Sequence, residues 1–338
     1  MVAVGGGHGQ AATLRAARRY AGSLTAVVAM ADDGGSSGRL RRDLGIVPPG
    51  DLRACLVALA AESSTLAAAF EHRYDEMLGD GALGTDGAAI LTRGGSGGEG
   101  RGSSRSPGRA RSGTAGGARG AGGGALRGHA LGNLVLAALM AVTGDIQTAL
   151  DEAGRLLGAV GRVVPATYQS VVLAAEAASG KVEGQSQVAR TPRIRRVSIV
   201  PADAPAASGA TAAISAADQV LLGPGSLYTS VLAATAVAGV AEALRRTAAQ
   251  RVYVANLRPQ VAETEGYDVA AHVGALEAHG VPVDVVLCDP AAIDVGAVPV
   301  PVVRSSLAKA NGLAHDPDQL AKALADLVGY EPQARRRP

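Results

Sequence analysis

Tryptophan is absent from this 338-residue chain, and seven tyrosines and one phenylalanine bring aromatics to only 2%. A surface that stacks nucleobases needs several rings on one face, so single-strand nucleic-acid binding is not expected. Charge of one sign is also lacking. The 32 Lys and Arg against 30 Asp and Glu leave a net +2, far from the balance of a dedicated DNA binder. Cys55 and Cys288 are the only cysteines, too few for a disulfide framework or a Cys-rich zinc site. His129, His272, His279 and His315 show no metal-ligand spacing. There is no Gly-x-Ser-x-Gly nucleophile elbow. No glycine loop ends in Lys-Ser or Lys-Thr, which removes P-loop kinases and ATPases. Met1–Gly9 has no basic segment followed by an apolar one, so no secretory leader is expected there. The longest uncharged run, Gln219–Ala241, contains Gly223-Pro224-Gly225-Ser226. It reads as strand, loop and buried helix rather than a membrane span. A cytoplasmic location without membrane insertion is the expectation.

Apolar residues are plentiful, 47% against 18% charged, enough for a sizeable core. Val2–Val4, Leu24–Ala31, Asp218–Leu222, Arg251–Ala255 and Val283–Cys288 are short apolar runs, read as buried strands of a parallel sheet. Ala11–Tyr20, Leu52–Ala61 and Leu131–Val142 read as helices. The alternation predicts an α/β fold, a doubly wound and mostly parallel sheet with helices on both faces. One domain over residues 1–330 is expected, with a flexible tail at 331–338. Gly94–Gly124 stands apart: 14 of its 31 residues are glycine and five are arginine. It cannot bury enough surface to offset its ordering entropy, so a disordered insertion is predicted.

Gly5-Gly6-Gly7-His8-Gly9 joins the first strand to the first helix. Such a junction offers free backbone N–H groups and the positive end of a helix dipole, and glycine allows close approach to a phosphate. His8 contacts a phosphate, donates a proton or only opens the helix. Gly7-x-Gly9-x-x-Ala12, with Asp32 at the next strand end, also fits a dinucleotide fingerprint. Asp32-Asp33-Gly34-Gly35-Ser36-Ser37-Gly38-Arg39-Leu40-Arg41-Arg42 reads as a loop at a strand's carboxyl end. Its carboxylates suit a ribose or a divalent cation, and its arginines suit phosphate. Asp51 is either the N-cap of the helix from Leu52 or a catalytic or metal carboxylate. Asn133 in an apolar helix needs a partner, a ligand or a backbone group. Gly223-Pro224-Gly225-Ser226-Leu227-Tyr228-Thr229-Ser230 repeats the strand–glycine–helix logic in the second half. Asn256–Pro259 and Glu263–Tyr267 follow the next strand and are candidates to complete the cleft.

The blocks GGGHG at 5–9, ADDGGSSGRLRRDLGIVPPGDLR at 31–53, GHALGNL at 128–134, LGPGSLYTSVL at 222–232 and ETEGYDVAAHV at 263–273 occur in this order. In them the chain resembles the gluconeogenesis factor family, the YvcK-like branch of the CofD-like superfamily, over Met1–Phe70 and Leu126–Val328. The resemblance implies a Rossmann-like fold, a homodimer, and binding of a UDP-sugar such as UDP-N-acetylglucosamine. It also implies a regulatory role in gluconeogenic growth, cell shape and cell-wall homeostasis. The nucleotide site it implies comprises Gly5, Gly6, Gly7, His8, Gly9, Asp32, Asp33, Gly34, Gly35, Ser36, Ser37, Gly38, Arg39, Asn133, Gly223, Gly225, Ser226, Tyr228 and Thr229. The sister branch transfers a phospholactyl group from a nucleotide diphosphate donor. That leaves a Mg²⁺-dependent transferase as the alternative, with Asp32, Asp33 and Asp51 as metal candidates, and an NAD-binding enzyme as a second. Two departures from the family pattern stand out: the intervening Asp75–Arg127, and Ala262 in place of the glycine usual before Glu-Thr.

Overall fold

The computed structural model describes residues 1–61, 63–74 and 125–329. The predicted disordered insertion, Gly94–Gly124, and the tail at 331–338 lie outside these residues. The described chain divides into a main body, Met1–His72 with His129–Pro338, and a separate unit, Arg73–Gly128. Within that unit the Gly128 N–H donates to the Tyr74 carbonyl (2.5 Å), and Arg73 donates to the Gly128 carbonyl (3.2 Å).

The main body opens with β1 (Val2–Gly5), α1 (Gly7–Ala17) and β2 (Thr25–Val28). Three helices follow the second strand before the 75–124 region and two after it: α2 (Gly35–Leu44), α3 (Gly50–Leu59) and α4 (Thr65–Glu71), then α5 (Leu131–Thr143) and α6 (Ile146–Leu157). β3 (Arg162–Pro165) completes the first half. Next come β4 (Val172–Ala177), β5 (Gly180–Glu183), α7 (Gln185–Val188) and β6 (Ile194–Val200). The second half contains α8 (Ser208–Ser215), β7 (Gln219–Leu222), a π-helical turn at Leu227–Val231, α9 (Leu232–Thr235) and α10 (Ala238–Arg246). β8 (Gln250–Val254), α11 (Val269–Ala278), β9 (Val285–Cys288), β10 (Val302–Arg304) and α12 (Pro317–Ala325) finish it.

Seven strands form one sheet in the order β10-β9-β8-β7-β1-β2-β3, every pairing parallel. Central parallel strands are covered on both faces, which is why β1 and β7 are buried along their whole length. Each Leu or Val so buried contributes about 1.5–3 kcal/mol. The chain runs outward from β1 through β2 to β3, then returns to β7 and runs the other way. Helix α1, which joins β1 to β2, packs against α3 and against α12, the last helix of the second half. The predicted doubly wound α/β fold is therefore the one observed.

Two features differ from the sequence expectation. A second sheet, antiparallel with order β5-β4-β6, arises between β3 and β7. The Asp32–Arg42 stretch is not a loop: from Gly35 it is α2. Gly38 permits this helix to form, because a β-carbon there would lie 2.0 Å from the Asp33 carbonyl oxygen. Gln219–Ala241 is strand, loop and buried helices, as expected. Among the described residues no single helix is long and apolar enough to cross a membrane. One pair, Leu227–Thr235 with Ala238–Arg246, passes by length and composition but is bent by 79°.

Candidate functional site

Chain direction reverses between β1 and β7, and the crevice beyond their carboxyl ends is where open α/β sheets take ligands. Both glycine loops sit there. Gly6 precedes α1 in an extended conformation and has no side chain to cap it. Gly9 packs directly on the second loop: a β-carbon on it would lie 2.3 Å from the Pro224 carbonyl oxygen. The Thr13 hydroxyl donates to the Gly223 carbonyl (2.8 Å), joining α1 to the end of β7. Gln10 anchors the base of α1 by donating to the carbonyls of Ala3 (2.9 Å) and Val27 (3.0 Å).

A cavity of about 350 Å³ lies between the loops. Gly6, Gly7, His8, Gly9, Gly225, Ser226 and Thr229 line it, as the sequence suggested, together with Asp51 and Ser230. His8 is exposed at its mouth. Gln185, Ser186 and Ala189 also line it. They belong to α7 and its end, and no glycine loop or charged motif marks them in sequence. Gln260 is a further lining residue; its only signal is its place just after the Asn256–Pro259 motif.

Asp51 lies in the first turn of α3 yet does not cap its own helix. Its carboxyl faces the start of α1, where a β-carbon on Gly6 would meet its Oδ2 at 2.5 Å. Burial and then the charge of Asp32 raise its pKa to about 7, against the counteracting Gly7 N–H bond and Arg53 charge. The residue as a whole is half-buried, but its carboxyl is the withdrawn part.

The remaining predicted residues form a second group outside the cavity lining. Asp32 accepts from the Gly34 N–H (2.9 Å). Asp33 turns away from it and accepts from the Ser186 N–H (2.9 Å) and hydroxyl (2.6 Å), capping α7 from a distance. Ser37 accepts from the Gly50 N–H (2.9 Å). Asn133 donates to the Ser36 hydroxyl oxygen (2.9 Å), which also bonds His129 Nδ1 (3.0 Å), so its partner in this structure is a side chain of α2. Gly35 and Arg39 lie in the first turns of α2. Gly5 ends β1 and Gly223 follows β7, both behind the cavity wall. Tyr228 is a core residue: its hydroxyl bonds the Ile194 carbonyl (3.2 Å) and the Tyr267 hydroxyl (2.9 Å). Burial pushes its pKa up, followed by the Tyr267 bond.

The three metal candidates do not converge, and among the described residues no three His, Cys, Asp or Glu side chains are grouped to hold an ion. Asp32 and Asp51 remain near enough for one charge to disfavour the other. That pair fits a divalent cation that takes its other ligands from phosphate and water.

Side chains beyond β8 shape the second loop. Asn256 takes both polar groups of Gly225, accepting from its N–H and donating to its carbonyl (2.8 Å each). Buried Glu263 accepts from the N–H groups of Tyr228 (2.6 Å) and Thr229 (3.2 Å) and the Thr229 hydroxyl (3.1 Å). Ala262 delivers it with φ +65°, the left-handed conformation that favours glycine.

The sequence profile described as 2-phospho-L-lactate transferase CofD matches residues 1–328. The chain belongs to the CofD family. Within the CofD family its relatives fall in the gluconeogenesis factor branch. A Halalkalibacterium halodurans relative named gluconeogenesis factor is 35% identical over 281 residues, 82% of this chain and 73% of the relative. A Mycobacterium tuberculosis relative provisionally named for the same role is 40% identical, covering 82% and 72%. A third, from Nostoc sp., is 37% identical, and this chain spans only 51% of its length. The solved structure of a UPF0052-family protein from Bacillus halodurans is similar at a TM-score of 0.77 and 31% identity, covering 96% of this chain and 97% of that one.

Proposed function

We propose that this CofD-family chain binds a nucleotide sugar of the UDP-N-acetylglucosamine type and acts as a metabolic regulator. One observation carries the reading. The glycine-rich start of α1 opens onto a cavity of about 350 Å³ at the switch point of the sheet, the arrangement that takes a diphosphate on backbone N–H groups. A role in gluconeogenic growth, cell shape and cell-wall homeostasis, a cytoplasmic location and a homodimeric state belong to the same proposal. The names of the relatives support the first of these.

Isothermal titration calorimetry against UDP-N-acetylglucosamine, UDP, GDP and NAD, with and without Mg²⁺, tests it. Uracil-selective, sugar-dependent binding without turnover is the expected result. Absence of UDP-N-acetylglucosamine binding overturns it.

The facing Asp32 and Asp51 favour one second reading, a Mg²⁺-assisted phospho-group transferase on a nucleotide diphosphate donor. The same titration separates the two: binding only with Mg²⁺, or preference for GDP, moves the assignment to the transferase.

A further inference from the structure

The two walls of the cavity are electrostatically unlike. On one side α1 begins at Gly7, whose N–H bonds Asp51, with the positive end of the helix dipole toward the cavity. On the other side the polar groups are already taken. Asn256 holds the N–H and carbonyl of Gly225. Gln260 donates to the Ser226 hydroxyl oxygen (2.9 Å). Glu263 takes the N–H groups of Tyr228 and Thr229 and the Thr229 hydroxyl. Glu263 is 3% exposed, and among the described residues no Lys or Arg pairs with its carboxylate. Burial raises the Glu263 pKa, the three donors favour its ionised form, and no full positive charge stands beside it.

We propose that Glu263 is the specificity-determining residue of this cleft: its carboxylate bars a second anionic group from the wall at Ser226 and Thr229, so a ligand is held with its phosphates on Gly6–Gly9 and a neutral polar group opposite. The inference rests on the reading of the cleft as an anion site and adds the direction in which the ligand lies. Asp51, the acid on the α1 side, does not play the same part. Its carboxyl bonds the Gly7 N–H of the α1 loop itself, not the wall opposite. Glu263 bonds only the wall that carries Ser226 and Thr229, and burial raises its pKa against the pull of those bonds.

The test compares wild type, Glu263→Gln and Glu263→Asp by calorimetry against UDP-N-acetylglucosamine, UTP, pyrophosphate and tripolyphosphate. Glu263→Gln keeps an acceptor for both N–H groups and a donor for Thr229 while removing the charge. In wild type UDP-N-acetylglucosamine is expected to bind at least about tenfold tighter than UTP, and pyrophosphate tighter than tripolyphosphate. Glu263→Gln is expected to shrink both ratios by about fivefold or more, and Glu263→Asp to preserve them. Unchanged ratios in Glu263→Gln overturn the inference. So does a wild type that takes UTP as tightly as the sugar nucleotide, a result that needs no variant to fold. Pyrophosphate binding without UDP-N-acetylglucosamine binding removes the nucleotide-sugar reading alone, and the polyphosphate ratio still decides the role of Glu263.

Discussion

A β-carbon on Gly9 would lie 2.6 Å from the Cα of Gly225, so the first and second glycine loops touch backbone to backbone. The contact joins the carboxyl ends of β1 and β7, the two strands that flank the reversal of chain direction. No side chain at position 9 fits without moving the wall of the cavity. Gly9→Ala is therefore expected to cost about 1–3 kcal/mol of stability and to abolish nucleotide binding. Urea unfolding with calorimetry on the same sample checks this; full affinity in a stable Gly9→Ala protein would remove the loop contact from the site.

Asp51 makes stability depend on pH. Its carboxyl has a pKa of about 7 in the folded chain against an ordinary 3.8. Between those values the folded chain retains a proton that the unfolded chain has lost, so raising the pH through the window lowers stability. Asp51→Asn cannot ionise. Its advantage over wild type is expected to grow from near zero at about pH 4 to roughly 2–4 kcal/mol above pH 7. Unfolding at about pH 5 and pH 8 measures it, and a difference that does not change with pH contradicts the burial of this carboxyl.

Ala262 holds φ at +65° while placing Glu263. An L-residue in this conformation costs about 1–2 kcal/mol, of which glycine's greater unfolded-state entropy returns part. Ala262→Gly is expected to raise stability by about 0.5–1 kcal/mol and leave ligand affinity unchanged. A lower melting temperature in the variant would count against this backbone geometry.

Asp33 is assigned a structural duty. Its carboxylate caps α7 through Ser186, and Ser186 lines the cavity. Asp33→Ala is expected to cost about 1–2 kcal/mol, the range for losing an N-cap. Its effect should be the same with and without Mg²⁺. Loss of Mg²⁺ dependence in calorimetry would instead make Asp33 a metal ligand.

Much of the sheet was legible in the chain. β1, β2, β7, β8 and β9 are apolar runs because parallel strands covered on both faces leave no polar positions. The two glycine loops were legible for a similar reason: a strand that turns at once into a helix needs residues without a β-carbon. α2 was not, because Gly35, Ser36, Ser37 and Gly38 have poor helix propensity. The helix forms because Gly38 allows its backbone to close on Asp33 and because Ser36 and Ser37 find partners in His129, Asn133 and Gly50.

Local pattern thus determined five strands of the main sheet, their alternation with helices and the two loops, since periodicity and the lack of a β-carbon act over a few residues. Tertiary structure alone decided which polar groups meet. Asp32 and Asp33 are neighbours in sequence, yet one faces Gly34 and the other caps α7. Tyr228 and Thr229 are also adjacent, and one enters the core while the other lines the cavity. Adjacent side chains leave the backbone in different directions, and the partner each finds lies up to 153 residues away, a distance over which no local pattern carries information.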